Sequence, residues 1–261
     1  MKKKEKSPLS LYDNPYYYEL AFSFRNIGRE VDFFERCIAK FSKIKVKEVL
    51  DVGCGPSPYM LELVKRGYTF TGLDLSEAML EYSLEKAKKA GTKAQMIHAD
   101  MRKFQTGKKF DFVFCMLGSI SIESDGDFLS HLDSVADCLR SGGLYLIDGS
   151  INFDWTALGS QSWTVIKDGL TVNVAWEPSP VNLVEQKIID RCTVEVIEEG
   201  GETRSFKTER LDKVIFPQEF LELVEKNGKF EFVSWYNNFS LAEPLESATK
   251  IDRPLTLLRR K

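Results

Sequence analysis

Histidine is almost missing from this chain: His98 and His131 are the only two in 261 residues. Both read as structural, His98 on a strand expected to be buried and His131 within a helix, so neither is an obvious general base. The five cysteines have no metal-ligand spacing, and no metal is expected. Their odd number reads as free thiols in a reducing compartment. Basic excess is missing too. A net charge of −3 and a pI near 5.7 leave no field for a phosphate backbone, so nucleic acid is not an expected partner. No window approaches the roughly 18 uncharged apolar residues that a membrane span needs. The lysine-rich start, Met1 to Lys6, has no apolar stretch behind it, because Pro8, Asp13, Asn14 and Pro15 interrupt. It reads as a solvated tail, and the chain as cytoplasmic.

What is present is a regular alternation from residue 46 to 150. Val46–Val52, Thr69–Leu75, Lys93–Ala99, Phe110–Met116 and Leu144–Asp148 read as five buried strands. Between them, Tyr59–Arg66, a Ser76-capped run to Ala90 and Asp127–Arg140 read as helices, with Gly67 and Gly91 as stops. Strand and helix at this spacing give right-handed crossovers and a parallel sheet. After Ser150 the pattern becomes alternating, as in Leu170–Trp176, where Cys192, Val194 and Val196 of a later run also share one side. The expected fold is α/β: a seven-stranded, mostly parallel, doubly wound sheet with helices on both faces, and an antiparallel β insertion of about four strands after the fifth strand. The divisions are 1–40 (N-terminal helical lid), 41–151 (cofactor-binding core), 152–214 (insertion) and 215–261 (a helix and strands completing the core sheet).

The most informative stretch is Asp51-Val-Gly-Cys-Gly55. Gly53 and Gly55 permit a sharp turn and close approach of a ligand to the backbone. Ligands of such sheets bind beyond the carboxyl ends of the strands, at the switch point. Asp74 ends the second strand, where a carboxylate accepts both hydroxyls of a ribose. Asp100 ends the third, within reach of an adenine amino group. Asp51 ends the first, where it can organise the loop or meet an ammonium. A dinucleotide fingerprint would need a third glycine at position 58, which is Pro58, and Asp51 sits badly with a pyrophosphate. A nicotinamide-linked oxidoreductase is therefore disfavoured.

These residues resemble the class I S-adenosylmethionine-dependent methyltransferases. The first motif is matched by Asp51–Gly55, the ribose acid by Asp74 and the third-strand acid by Asp100; Phe110–Cys115 and Leu139–Leu146 match the fourth and fifth strands. The family often has a third small residue, usually glycine, where Ser57 stands between Pro56 and Pro58, so altered loop geometry is expected. The segments His98–Phe104 and Phe114–Ile120 look like small-molecule enzymes that include N-methyltransferases of nucleotide-linked amino sugars. The histidine that commonly follows there is absent, since the chain continues Ser121-Ile-Glu123.

The resemblance implies S-adenosyl-L-methionine as cofactor, held by Tyr18, Arg25, Asp51, Gly53, Cys54, Gly55, Asp74, Leu75, Met79, Asp100, Met101, Met116 and Leu117. Met101 would pack on the adenine, and Met116 and Leu117 would lie along the cofactor. The Tyr-rich N-terminal segment would be a lid, with Tyr18 facing the sulfonium or substrate and Arg25 pairing with the cofactor carboxylate. The expected partner is a small-molecule acceptor, most simply an amine, reached by in-line transfer. Ser119, Ser121, Trp155 and Arg191 are candidates to line its pocket, and no catalytic residue is assigned. The insertion is also a candidate homodimer surface. Two other readings stay open: a protein that binds the cofactor without turnover, and an aminopropyl transferase. The latter lacks its paired acids, because Met116–Ser119 stands in their place.

Overall fold

Apolar runs that end in an acid or a glycine become the buried strands of the computed structural model, which describes residues 9–154, 159–248 and 250–261. The lysine-rich start and Trp155 lie outside those residues. The N-terminal segment forms β1 (Leu9–Ser10), α1 (Pro15–Ala21) and α2 (Ile27–Phe41). Alternation follows with β2 (Glu48–Val52), α3 (Met60–Lys65), β3 (Thr69–Asp74), α4 (Glu77–Lys89), β4 (Gln95–His98), β5 (Phe110–Cys115), α5 (Asp125–Cys138) and β6 (Leu139–Asp148). Then come β7 (Gln161–Lys167), β8 (Leu170–Trp176), β9 (Ser179–Asn182), β10 (Lys187–Glu198) and β11 (Thr203–Lys213). The chain closes with α6 (Pro217–Asn227), β12 (Phe230–Asn237), β13 (Ser240–Pro244) and β14 (Pro254–Arg260).

The central sheet runs β13-β12-β14-β6-β5-β2-β3-β4. From β6 to β4 all pairings are parallel, and β14, β12 and β13 add an antiparallel edge. Strand parity sorts its two cores. Val49, Phe112 and Phe114 face α2 and α3 through Phe34 and Tyr59, while Leu50, Val113 and Cys115 face α5 and α6 through Leu132 and Phe220. Because β3 and β5 flank β2 on opposite sides, a crevice opens above the end of β2.

Several expectations change in detail. The central sheet has eight strands, not seven. Asn238 and Phe239 both take positive φ (54° and 59°), so the chain folds back as β13 instead of extending β12. Glu177-Pro-Ser-Pro180 reads as a turn in the sequence, but its second half enters the edge strand β9, where Pro180 is tolerated because β9 pairs only with β10. The insertion therefore holds five strands. Helix α5 stops at Cys138, and β6 begins at once, taking up 139–143 through a shift in register against β5. Gly143 makes that bulge possible, since a Cβ there would lie 2.5 Å from the Asp111 carbonyl oxygen. Strand β4 lies on the sheet edge, and His98 is exposed, not buried.

The second sheet, β1-β11-β10-β8-β7, draws its first strand from the N-terminus. Leu9 pairs with Phe206 and Ser10 with Lys207, in parallel. Leu20 and Ala21 of α1 pack on Val172, Val174, Val194 and Val196, and Trp163 Nε1 donates to the Ala21 carbonyl at 2.7 Å. Helix α1 is thus fastened to the second sheet, whereas α2 buries Val31, Phe33 and Phe34 in the main core. Among the described residues, no helix is long and apolar enough to cross a membrane.

Candidate active site

The turn after β2 is folded back on β3. Gly53 and Cys54 donate their backbone N–H groups to the Leu73 carbonyl at 2.8 and 2.9 Å, and Gly55 N donates to Asp74 Oδ2 at 2.7 Å. Gly53 takes φ 70°, a backbone that strains any side chain, and a Cβ there would press on Met101 Cε at 2.8 Å and on Ser119 Cβ at 3.2 Å. Ser57 is fully buried and takes φ 50°, so it keeps the left-handed backbone a glycine would adopt. Helix α4 braces the turn through Ser83 Oγ, which donates to the Gly55 carbonyl at 3.2 Å. Lys86 Nζ adds a 2.6 Å bond to the Pro56 carbonyl.

Two joined hollows meet at this turn. The smaller is lined by Tyr18, Arg25, Asp51, Cys54 and Met116, and the larger, a cleft of about 1680 Å³, by Asp74, Leu75, Met79, Asp100 and Met101. Tyr18, Gly53, Gly55 and Leu117 are among the residues that border both. All the cofactor positions named from the sequence are therefore brought together. Asp51 is only 2% exposed, and its Oδ2 is buried with no hydrogen-bond partner. Burial pushes its pKa well up, with Asp74 adding to the rise and Arg25 opposing it. A buried carboxylate oxygen without a donor suits a ligand ammonium. Asp74 accepts from Gly55 N and, at 2.9 Å, from Ser76 N, which leaves further lone pairs on the cleft side. Asp100 is clamped by Arg102 at 2.7 Å, and that guanidinium holds its pKa down. Leu75 is 64% exposed at the rim.

Arg25 lines the smaller hollow, but its guanidinium is engaged. It donates to Glu30 at 2.5 and 3.2 Å and to the Tyr59 hydroxyl. Glu30 also accepts from Arg253 at 3.2 Å, and Arg253 pairs with Asp148 at 2.5 Å. Asp148 Oδ2 in turn accepts from Leu117 N at 2.9 Å and pins the left-handed turn of Leu117 and Gly118 (φ 59° and 60°). Glu30, Tyr59, Asp148 and Arg253 were not legible from the sequence, because their pairing joins elements far apart in the chain. Tyr18 has its ring between Phe22 (4.8 Å) and Tyr12 (6.1 Å); among the described residues its hydroxyl has no hydrogen-bond partner. Burial raises its pKa.

The insertion supplies the opposite wall. Ser119 and Ser121 line the cleft, but Arg191 does not: it pairs with Glu209 at 2.7 Å on the other face. Strand alternation explains this, since Ile188, Asp190 and Cys192 share the cleft face and Arg191 lies between them. Asp190 accepts from Trp176 Nε1 and from Arg210 at 2.5 Å, and Ser121 Oγ donates to Asp212 at 2.7 Å. The shared side already visible for Cys192 and Val194 could have pointed to Asp190. His131 is buried, and its Nδ1 donates to the Met101 carbonyl at 2.8 Å while Nε2 accepts from Tyr145 at 2.6 Å. It props the Met101 turn from behind.

Residues 49–143 match the family described as "Methyltransferase domain". A dTDP-3-amino-3,4,6-trideoxy-alpha-D-glucopyranose N,N-dimethyltransferase of Streptomyces venezuelae is 30% identical over 105 residues, covering 40% of this chain and 43% of that protein. A glycine N-methyltransferase of Rattus norvegicus is 32% identical over 122 residues, 41% of each chain. The chain spans less than half the length of these curated relatives. An S-adenosylmethionine-dependent methyltransferase from Clostridium acetobutylicum superposes with a TM-score of 0.76 at 19% identity, covering 94% of this chain and 96% of that one. The sugar N-methyltransferase KedS8 from Streptoalloteichus gives 0.72 at 19% identity, covering 100% and 97%. At these identities the likeness is one of fold, and it covers 94% and 100% of this chain.

Proposed function

We propose that this chain, which carries a methyltransferase domain, binds S-adenosylmethionine at the turn of Asp51–Gly55 and methylates a nitrogen of a small amine. One observation carries the reading: Asp51, whose Oδ2 is buried and unpartnered, lines the hollow shared with Tyr18 and Arg25, beside Gly55, where an added Cβ would meet only Tyr18 at 3.8 Å. The donor set fits the cofactor. Asp51 suits its ammonium, Asp74 a ribose, and the apolar Met79 and Met101 with the rim residue Leu75 suit an adenine. When bound, the cofactor would supply an electrophilic methyl group on a sulfonium, which these residues would hold toward the acceptor amine.

The protein's own part is alignment and exclusion of water. Leu117, fixed by Asp148, and Tyr18, fixed by its aromatic neighbours, bound the opening between the two hollows. Holding two reactants in register lowers such a barrier by roughly 7–11 kcal/mol, which a neutral amine can exploit without a dedicated base. Nitrogen as the acceptor is supported by the sugar and glycine N-methyltransferases among the similar proteins.

Calorimetry with S-adenosylhomocysteine tests the site. Binding is expected, and Asp51→Asn should weaken it about 10- to 100-fold through loss of a charge-assisted bond. The same variant should melt higher without ligand, because an unpaired buried carboxylate is removed. No binding at millimolar ligand would sink the proposal. Binding without methylation across an amine panel would leave only the non-catalytic reading.

A further inference from the structure

We infer that the methyl acceptor is a small amine bearing no phosphate, selected by the wall that β10 and β11 present to the cleft. This rests on the methyltransferase reading above. The ground is the state of the cations. Among the described residues, the lysines and arginines lining the cleft are Arg102, Arg210, Lys213 and Arg253. Each is already held by carboxylates: Arg102 by Asp100 at 2.7 Å, Arg210 by Asp190 at 2.5 Å and Asp212 at 3.4 Å, Lys213 by Asp125 and Glu219, and Arg253 by Asp148 and Glu30. Arg25 in the smaller hollow is held by Glu30. A nucleoside diphosphate needs forked, unengaged donors. Diverting any of these cations would strand a carboxylate, three of which, Glu30, Asp148 and Asp212, are buried.

The remaining charge on the cleft is acidic. Asp13, Asp74 and Glu81 line it without a salt bridge to any described residue. The wall cluster sets two carboxylates, Asp190 and Asp212, against the single guanidinium of Arg210. Both acids are fixed in place, Asp190 by the Trp176 indole and Asp212 by the Ser121 hydroxyl. Trp163 and Trp176 add aromatic surface to the same cleft, which suits a cationic amine. A cleft with this balance concentrates cations and repels phosphates. The acceptor class is thereby separated from the nucleotide-linked amino sugars that the sequence resembles.

The test uses the full chain saturated with S-adenosylhomocysteine. It is titrated calorimetrically with thymidine, uridine and guanosine diphosphates and with inorganic pyrophosphate. None should bind at millimolar concentration. The double variant Asp190→Asn/Asp212→Asn, which frees Arg210, should bind at least one of them about tenfold tighter than the unaltered chain. Asp212→Asn alone is read if the double variant loses S-adenosylhomocysteine. Methylation of matched acceptors, a free amino sugar and its nucleotide-diphosphate-linked form, gives a readout that needs no variant, and the free form should be preferred. Submillimolar diphosphate binding by the unaltered chain, preference for the linked acceptor, or no gain on freeing Arg210 would each overturn the inference. Failure of S-adenosylhomocysteine to bind at all would instead overturn the methyltransferase reading itself.

Discussion

The two walls of the cleft are built in different ways. On the parallel wall, position comes from the main chain: the amides of Gly53, Cys54 and Gly55 are tied to β3, and glycine at φ 70° leaves the space beside Met101 and Ser119. On the antiparallel wall, position comes from side chains paired across strands, Asp190 opposite Arg210 and Ile188 opposite Asp212. A main-chain site tolerates few residue types and changes little in what it can hold. A wall of cross-strand pairs can be rewritten one residue at a time. The difference teaches where donor binding and acceptor choice should reside.

The comparison can be broken by perturbing each wall separately. The largest effect is expected from His131, the buried prop of the parallel wall, whose pKa burial lowers to about 4. The unfolded imidazole titrates near 6.5, so between these values the unfolded chain binds more protons. The stability contributed is fully present above pH 6.5 and is lost as pH falls toward 4, by about 3 kcal/mol. Thermal melts from pH 7 to 4 should fall more steeply for the unaltered chain than for His131→Gln; equal slopes would remove His131 from this role. Next comes Gly53→Ala, which places a methyl against Met101 in a left-handed backbone. It should cost about tenfold or more in S-adenosylhomocysteine affinity, through strain of roughly 1–3 kcal/mol. Asp212→Asn should leave that affinity within about twofold. If both variants weaken the cofactor equally, the division between the walls fails. The smallest effect is Ser57→Gly, which relieves a left-handed serine and should stabilise the fold by about 0.5–1 kcal/mol in denaturant titration.

The same contrast explains what the sequence disclosed. The turn of Asp51–Gly55 and the strand-ending Asp74 and Asp100 were legible because a parallel sheet dictates where glycines and acids must fall. The fold class followed from alternation, but β13 was missed, because Asn238 and Phe239 turn the chain at positive φ although neither is glycine. Arg25 lines the smaller hollow, while its hold on Glu30 was not visible, because the Glu30–Arg253–Asp148 chain is assembled only by folding. Arg191 was a candidate to line the acceptor pocket, but strand parity turns it to the outer face, and Asp190 and Arg210 line the cleft instead. Chemistry carried by the backbone leaves a local signature; chemistry carried by pairs across strands does not.

The pairing of Leu9 and Ser10 with Phe206 and Lys207 also dictates an order of assembly. During synthesis the first residues must wait until β11 has been made before they have a sheet to join. The glycine turn and the strands on either side of it are translated well before then. Until β8 and β10 are made, α1 lacks the floor of Val172, Val174, Val194 and Val196, and until β11 arrives that floor lacks Phe206. A chain truncated before Lys207 would keep every motif by which the donor site is recognised and lose the enclosure in which a transfer could be aligned.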